Sequence, residues 1–490
     1  MRVLFVSSEV APFSKTGGLA DVSGALPAAL GRAGVSVRVV TPLYRCVRQA
    51  PWQLRPAGEV QVALGASAAE RVAVWEGALP GDNVAVWFVD HPGSFDRPGL
   101  YGESGRDYPD NLERFALFCH AALSWVQVSG WQADVVHCND WQTALIPVYL
   151  RTWPDPRWAP VGCLLTIHNL AYQGLFPAEK YPHLGLPPEL YSPRYLEFWG
   201  RVNLLKGGLV FADVLSTVSE TYAREIQTPE LGCGLDGVLR ERAADLYGIL
   251  NGVDYSVWDP RNDQYLPARY GPEDLSGKRV CKAALQQEMR LRIDPGVPLF
   301  GMVSRLVEQK GVDLVAACVD RFPAAGAQLV ILGTGDPAYE EVLQQAGERH
   351  LGWVGVRIGF DERLAHWIEA GCDAFLMPSR YEPSGLNQLY SLRYGTVPVV
   401  RRTGGLADSV VDATPEALAR GQANGFVFDD YSPEAFWGAV QRALAAYRDP
   451  ATWDRLLRAG MAADFSWERT AGRYLDLYRL ARRKRGAVPS

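Results

Sequence analysis

Short apolar runs alternate with longer helical patterns through most of this 490-residue chain, and this alternation restricts its fold more than any other feature. Runs rich in Val, Ile and Leu that are separated by helices predict parallel strands buried on both faces of a sheet. A doubly wound α/β domain is therefore expected over residues 1–250. Its predicted strands are 3–9, 35–43, 84–90, 134–140, 163–169 and 213–219.

A second α/β series follows a polar, turn-rich segment at 251–285, which contains Pro260 and Pro267. This change of character predicts a domain junction there. We expect an N-terminal Rossmann-like domain over 1–250, a C-terminal one over 251–465, and a final helix over 466–490. The predicted strands of the second domain are 299–306, 328–335, 356–360, 374–379 and 397–402.

Composition excludes several classes of protein. The chain is 48% hydrophobic and 21% charged, which is ordinary for a globular protein, and no apolar run is long enough for a membrane span. The apolar run after Met1 is too short for a signal peptide, so we expect a cytoplasmic protein. A net charge of −6 argues against a nucleic-acid partner. The eight cysteines lack zinc-ligand spacing, which predicts buried thiols and no metal site.

The heptapeptides KTGGLAD (15–21) and RTGGLAD (402–408) are nearly identical, and each stands between a predicted strand and a predicted helix. Ligands of open α/β sheets bind beyond the carboxyl ends of the strands, and unpaired N–H groups at helix starts favour anions. We therefore expect each domain to offer a glycine turn to one anionic ligand. Only seven of the 49 basic residues are lysines, and two of them, Lys15 and Lys310, adjoin glycine turns.

Other motifs narrow the function. Neither glycine turn is GxGxxG, which disfavours a nicotinamide-dependent dehydrogenase, and the chain has no P-loop and no GxSxG sequence. Polar residues follow three further predicted strands: His168 with Asn169, Arg305 with Lys310, and Glu382 in EPSGLNQ. Polar residues at these loop ends predict a ligand site.

Several of these segments together resemble the bacterial glycogen synthase and plant starch synthase family. They are KTGGLADVSGALP, HCNDW, TIHNLAYQG, ADVLSTVSE, ILNGVD, VSRLVEQKG, EPSGLNQLY and YGTVPVVRRTGGLADSV, and the similarity runs in order from residue 1 to about 475. The resemblance implies the GT-B fold, in which two Rossmann-like domains face each other across a cleft and the C-terminal helix crosses back to the N-terminal domain.

The resemblance also implies an activity. Members of the family transfer glucose from a nucleotide-glucose, usually ADP-glucose in bacteria, to the non-reducing end of an α-1,4-glucan such as glycogen, with retention of anomeric configuration. No cofactor, metal, nucleic acid or membrane is implied. The N-terminal domain would hold the acceptor side and the Lys15 loop, and the C-terminal domain would bind the nucleotide-sugar.

The resemblance assigns roles to individual residues. Lys15 is similar to the lysine of the KxGGL motif at the donor and glucose site, and His168 to a histidine that contacts the donor glucose. Arg305 and Lys310 resemble the cations that hold the diphosphate, and Glu382 resembles a glutamate near the sugar hydroxyls. The further substrate-binding residues implied are Gly17, Gly18, Asp21, Asp140, Asn169, Asn251, Phe360, Ser384, Gly385, Leu386 and Asn387.

Three details stay open in the sequence. The usual EPCGLTQ is EPSGLNQ here, where Asn387 could still donate to phosphate, and the usual HDWH is NDWQ, with Asn139 and Gln142. Phe360 is expected to stack near the nucleotide base, although a core phenylalanine is an equal alternative. The residues do not decide between ADP-glucose and UDP-glucose, and they offer no firm nucleophile.

Two other functions fit parts of the pattern. A two-lobed sugar-binding protein of periplasmic type shares the architecture, but it would need an export signal and would not need Lys15, Arg305 and Lys310 together. A phosphorylase-like enzyme would need a lysine that forms a Schiff base with pyridoxal phosphate, and no candidate motif is present.

Overall fold

The computed structural model of the protein describes residues 1–65 and 68–486. The chain divides into two compact units. The first unit comprises Met1–Val218, Ala223–Gly252 and Trp467–Ser490, and the second comprises Ser219–Tyr222 and Val253–Ser466. These divisions fall close to the junctions predicted after residues 250 and 465.

The strands and helices up to Gly252 include the predicted alternation and several strands that were not predicted. The strands are β1 (Arg2–Val6), β2 (Ser36–Pro42), β3 (Arg55–Val62), β4 (Glu70–Ala78), β5 (Ala85–Asp90), β6 (Gly102–Glu103), β7 (Arg106–Asp107), β8 (Val135–Asn139), β9 (Gly162–Ile167), β10 (Leu175–Pro177), β11 (Glu197–Phe198), β12 (Arg201–Asn203), β13 (Val214–Thr217) and β14 (Leu246–Gly248). The helices are α1 (Gly18–Arg32), α2 (Arg45–Gln49), α3 (Pro92–Phe95), α4 (Asn111–Ser129), α5 (Leu145–Thr152), α6 (Leu204–Phe211), α7 (Glu220–Glu225) and α8 (Asp236–Glu241).

The elements after Gly252 form the second series and the final helix. The strands are β15 (Leu299–Val303), β16 (Gln328–Gly333), β17 (Val354–Ile358), β18 (Ala374–Met377), β19 (Val397–Arg401) and β20 (Phe426–Phe428). The helices are α9 (Ser276–Glu288), α10 (Val312–Cys318), α11 (Arg321–Ala324), α12 (Pro337–Arg349), α13 (Glu362–Gly371), α14 (Asn387–Arg393), α15 (Gly404–Ser409), α16 (Pro415–Ala419), α17 (Pro433–Tyr447), α18 (Pro450–Ala462) and α19 (Trp467–Lys484).

The first unit contains a nine-stranded sheet in the order β14-β13-β9-β8-β1-β2-β5-β4-β3. The seven strands from β14 to β5 pair in parallel, and β4 and β3 extend the sheet as antiparallel strands. Strand β8 is buried along its whole length, as the continuous apolar run predicts. The order turns back beside β1, whose neighbours are β2 and β8, so a ligand crevice is expected beyond the carboxyl ends of β1 and β8.

The second unit contains a six-stranded parallel sheet in the order β17-β16-β15-β18-β19-β20. This is the Rossmann order 3-2-1-4-5-6, and it turns back between β15 and β18. The loops that leave these two strands carry Arg305 and Lys310 on one side and Glu382 on the other. The topology therefore brings together two segments that are more than 70 residues apart in the sequence.

The final helix, α19, belongs to the first unit, as the resemblance implied. Its Tyr478 hydroxyl lies 2.8 Å from Nδ1 of His137 in the middle of β8. Its backbone at Ala481 approaches Gly162 so closely that a Cβ there would lie 2.8 Å from a carbonyl carbon. The helix thus packs against β8 and β9. Asn139, Asp140 and His168 lie at the carboxyl ends of these two strands.

Among the described residues, no helix has both the length and the apolar character needed to span a bilayer.

Candidate active site

A partly buried ion pair lies at the point where the second sheet turns back. Nζ of Lys310 contacts both carboxylate oxygens of Glu382, at 2.9 and 2.7 Å. Glu382 is 5% exposed, and the hydroxyl of Ser379 also donates to it at 2.9 Å. An ammonium has three N–H donors, so Lys310 can give two to Glu382 and still offer one to a ligand oxygen.

Arg305 follows β15 on the same side of the sheet, and its side chain is exposed. Its contact with Gln309 Oε1 is long, at 3.4 Å. A guanidinium with so weak a contact keeps most of its donors for a planar or phosphate anion. Gly311, directly after Lys310, has a φ of 72°, and a Cβ there would lie 2.0 Å from the carbonyl oxygen of Pro378. The Lys310 turn is therefore pressed against the end of β18.

The second glycine turn, at Thr403–Gly405, supports the Glu382 loop. A Cβ on Gly404 would lie 1.9 Å from the carbonyl oxygen of Glu382, and a Cβ on Gly405 would lie 1.9 Å from that of Ser384. The N–H of Gly405 also donates to Glu382 O at 3.1 Å. This copy is buried, so the expectation that both glycine turns face a ligand is wrong for the second one. The close backbone approach explains why glycine is needed there.

The EPSGLNQ segment is held more tightly than its sequence suggests. The side-chain amide of Asn387 donates one N–H to the carbonyl of Val303 at 2.8 Å, so it anchors the end of β15 and keeps its second N–H as a donor. Ser384 is 4% exposed, and its hydroxyl is buried without a hydrogen-bond partner in the part of the chain that the structure describes. Gly385 and Leu386 are partly exposed and lead into α14, which begins at Asn387.

In the first unit, a carboxylate organises the other glycine turn. Glu9, 3% exposed, accepts hydrogen bonds from the N–H and the hydroxyl of Thr16, at 2.5 and 2.6 Å, and from the N–H of Gly17 at 3.3 Å. The hydroxyl of Tyr101 donates to the same carboxylate at 2.6 Å. The loop is therefore fixed from inside while its outer face stays open.

Lys15 lies on that outer face. Its Nζ contacts Oδ1 of Asp21 at 2.7 Å, and half of its side chain is exposed. Gly17 and Gly18 are exposed too, and a Cβ on Gly17 would meet no atom of residues 1–65 or 68–486 within 4 Å. The first glycine turn thus presents a cation and bare backbone to solvent, unlike the second.

Asp140 and His168 meet beyond the ends of β8 and β9. The N–H of His168 donates to Oδ1 of Asp140 at 2.7 Å. Burial raises the pKa of Asp140 to about 7, although backbone N–H groups of His168 and Asn169 work in the opposite direction. Asp140 also has a φ of 57°, which is uncommon for a residue other than glycine. A strained, buried carboxyl group of this kind is typical of functional sites.

The imidazole of His168 is held in one tautomer. The amide nitrogen of Asn139 donates to Val6 O at 3.0 Å, so its oxygen is left to accept from Nε2 of His168 at 2.9 Å. Loss of solvent around the ring lowers the pKa of His168 to about 3. The ring is therefore neutral with its proton on Nε2, and Nδ1 is an acceptor.

The remaining predicted site residues, Asn169, Asn251 and Phe360, lie in three different loops. Asn169 follows His168, and its side chain accepts from the N–H of Ala171. Asn251 is buried, and its side-chain oxygen has no hydrogen-bond partner among the described residues. Phe360 is 84% exposed after β17, so the alternative that it is a core residue is wrong.

Sequence reasoning missed Glu9 and Tyr101. Glu9 could have been found, because it is the acidic residue that ends the first apolar run. Tyr101 gives no signal, since its loop reaches Glu9 only in the tertiary structure. No group of three or more His, Cys, Asp or Glu residues among residues 1–65 and 68–486 is arranged to hold a metal ion.

Comparison with known proteins covers nearly the whole chain. The family described as the starch synthase catalytic domain matches residues 2–241, and the family described as glycosyl transferases group 1 matches residues 286–455. The chain is 52% identical over 487 residues to glycogen synthase 1 of Methylococcus capsulatus, covering 98% of this chain and 97% of that protein. It is 53% identical over 482 residues to a glycogen synthase of Anaeromyxobacter dehalogenans, covering 98% and 99%.

Comparison with solved structures finds similarity to the same family. The catalytic domain of starch synthase IV from Arabidopsis thaliana, bound to ADP and acarbose, superposes with a TM-score of 0.90 at 34% identity, covering 98% of this chain and 99% of that one. Sucrose-phosphate synthase from Thermosynechococcus elongatus shares the fold, with a TM-score of 0.60 at 18% identity and 98% coverage of both chains.

Proposed function

The chain belongs to the glycogen synthase and starch synthase family of GT-B glycosyltransferases, and from this premise we propose how its residues carry the activity. The protein transfers glucose from ADP-glucose to the non-reducing end of an α-1,4-glucan with retention of configuration. The observation that carries the mechanism is the Lys310–Glu382 pair, which lies at the switch point of the second sheet beside Arg305.

Arg305 and Lys310 bind the diphosphate of the donor in this proposal. As the bond between C1 of glucose and the diphosphate oxygen breaks, the leaving group gains negative charge. Fixed cations whose contact strengthens as that charge develops lower the barrier. Lys310 is held in place by Glu382 before the ligand arrives, so little reorganisation is needed. Backbone groups of Ser384, Gly385, Leu386 and Asn387 add N–H donors.

The first unit binds the glucose in this proposal. Lys15 and Asp21, beside the bare backbone of Gly17 and Gly18, are the groups of this unit that we assign to donor oxygens. Nδ1 of the neutral His168 can accept a hydrogen bond from a sugar hydroxyl, as can the carboxyl group of Asp140. Asn169 and Asn251 supply further polar contacts, and the unpartnered oxygen of Asn251 supports that role.

Retention follows if the acceptor attacks from the face that the diphosphate leaves. The acceptor O4 then bonds to C1, the C1–O bond to the diphosphate breaks, and the acceptor proton passes to the departing diphosphate. Glu382 is tied to Lys310 and Ser379, so we propose that it positions groups and does not form a covalent glucosyl intermediate.

A cytoplasmic enzyme is proposed as well, since all eight cysteines are unpaired thiols.

A direct assay tests this function. Glycogen is incubated with the protein and either ADP-glucose or UDP-glucose, and the released nucleotide and the incorporated glucose are measured. We expect ADP release matched by growth of α-1,4 chains, and the same rate in excess chelator, because Arg305 and Lys310 supply the cationic charge. Nucleotide release without chain growth, or a rate that returns only on adding Mg²⁺, would contradict the proposal.

Replacing Phe360 tests base recognition. Since the ring is exposed, Phe360→Ala removes no core packing, and the loss of stacking is expected to raise the KM for ADP-glucose about fivefold with kcat little changed. Phe360→Tyr keeps an aromatic ring that can stack, so its KM for ADP-glucose is expected to equal that of the wild-type protein. Leu351→Ala, at a residue that is 82% exposed in the same unit, is the control. An unchanged KM in Phe360→Ala would show that the ring does not contact the base.

A further inference from the structure

A short segment between β13 and β14 belongs to the second unit. The residues Ser219–Tyr222 are assigned to that unit, whereas Val218 before them and Ala223 after them belong to the first. Ser219 and Tyr222 are buried, at 0% and 2% exposed. The chain therefore contributes four residues to the second unit and then returns to the first, and specific contacts hold these four residues in place.

One contact joins this segment to the loop that carries Glu382. The hydroxyl of Ser219 donates to the carbonyl of Pro383 at 2.6 Å, and its oxygen accepts from the N–H of Tyr222 at 3.0 Å. The N–H of Gly405 also donates to the carbonyl of Pro383, at 3.2 Å. The carbonyl next to Glu382 therefore receives two donors, one from this segment and one from the second glycine turn.

A second contact comes from the acidic residue of the second TGGLAD turn. Asp408 accepts from the N–H of Thr221 at 2.9 Å and from its hydroxyl at 2.5 Å. In the first turn the corresponding acid, Asp21, contacts Lys15. Arg402 takes the place of that lysine in the second turn, and it pairs with another carboxylate. The last residue of the repeated heptapeptide is thus used in two ways, and in the second unit it holds Thr221.

We propose that Asp408 and the Ser219–Tyr222 segment position the diphosphate end of the donor site by holding the peptide that follows Glu382. This role rests on the proposed function, because it requires that Lys310 binds a diphosphate. The ammonium of Lys310 is held by the carboxylate of Glu382, so movement of that loop would displace the cation. A displacement of about 1 Å can cost about 10²-fold in rate. Asp408, which acts through the loop, is therefore a positioning residue.

Removing the carboxylate of Asp408 tests this role. Asp408 is exposed, so Asp408→Ala takes away no buried packing. The variant is expected to lower kcat about tenfold and to change the KM for ADP-glucose by less than about twofold, because a misplaced cation acts mainly on the transition state. Asp454→Ala is the matched control, since Asp454 is another exposed acid of the second unit and contacts Arg458 within α18. A normal kcat in Asp408→Ala would overturn the proposal.

Variants of Thr221 separate positioning from a general loss of stability. Thr221→Val removes the hydroxyl that donates to Asp408 and keeps the N–H, so a smaller loss of kcat, about fivefold, is expected. Thr221→Ser keeps both donors and should retain the kcat of the wild-type protein. Because the two residues act through one contact, the double variant Asp408→Ala/Thr221→Val should be no slower than Asp408→Ala. A double variant slowed by the product of the two single losses would overturn the link.

Amide hydrogen exchange follows the same loop without turnover. The N–H of Gly405 donates to the carbonyls of Glu382 and Pro383, so its exchange reports the freedom of that peptide. Asp408→Ala is expected to speed this exchange about tenfold, and Asp454→Ala should leave it unchanged. Equal exchange in Asp408→Ala and the wild-type protein would overturn the proposal even if no glucose were transferred. Faster exchange in a protein whose wild type transfers no glucose would support the positioning of the loop and contradict the proposed function.

Discussion

Lys310→Ala is expected to lower kcat/KM for ADP-glucose by about 10²–10³-fold, because the variant loses a fixed cation at the place where the diphosphate gains charge. Arg305→Ala is the matched comparison. Arg305 is exposed and contacts its neighbour Gln309 only weakly, so its loss should reduce transfer by at least about tenfold and leave stability unchanged. Both constants are measured from initial rates of ADP release with glycogen in excess.

Stability separates the two roles of Lys310. Removing the ammonium leaves the buried carboxylate of Glu382 without its cation, and such a loss typically costs about 3–5 kcal/mol. Lys310→Ala is therefore expected to lower the free energy of unfolding in urea. The double variant Lys310→Ala/Glu382→Gln removes the buried charge and should recover most of that loss without recovering transfer. Recovery of transfer in the double variant, or normal turnover in Lys310→Ala, would show that Lys310 serves only to neutralise Glu382.

The second large effect concerns the protonation of Asp140. Burial raises its pKa from 3.8 to about 7 in the folded protein. Between these values the folded state keeps a proton that the unfolded state has lost, so this group lowers the free energy of unfolding as pH rises. The expected loss is about 3 kcal/mol between pH 5 and pH 8.5. This loss of stability should be complete at pH values well above the pKa of Asp140 in the folded protein.

Asp140→Asn isolates this contribution. The amide oxygen can still accept from the N–H of His168, and asparagine tolerates a positive φ better than most residues. Urea unfolding of the two proteins at pH 5 and pH 8.5 gives the difference in free energy at each pH. Between pH 5 and pH 8.5, the free energy of unfolding of the variant is expected to rise by about 3 kcal/mol relative to that of the wild-type protein. Equal pH dependence in the two proteins would show that Asp140 ionises normally in the folded state.

Much of the architecture could be predicted from the sequence, because buried parallel strands are continuous apolar runs. Each predicted strand before residue 250 overlaps an observed strand of the first sheet, and each later one overlaps a strand of the second. The antiparallel strands β3 and β4 were missed, since β3 is an edge strand whose first five residues are exposed. The three-stranded sheet β10-β12-β11 was missed too, because strands of two or three residues are too short to show a period.

Site residues were harder to predict than strands. The sequence could place Arg305, Lys310 and Glu382 at strand ends, but pairing between distant strands decides that Lys310 contacts Glu382. Likewise, the sequence could single out Asn387, but only the fold shows that one N–H of its amide donates to the carbonyl of Val303. A residue type sets which hydrogen bonds a side chain can make, and its neighbours set which ones it makes.

The two TGGLAD turns show this division most clearly. The sequence by itself determined that each turn links a strand to a helix, because glycines after an apolar run permit that turn locally. The tertiary structure alone decided their different uses. In the first unit, Glu9 holds the turn from inside and leaves Lys15 and its glycines exposed. In the second unit, β18 and β19 are neighbours, so the loop that carries Glu382 packs directly over Gly404 and Gly405 and buries them.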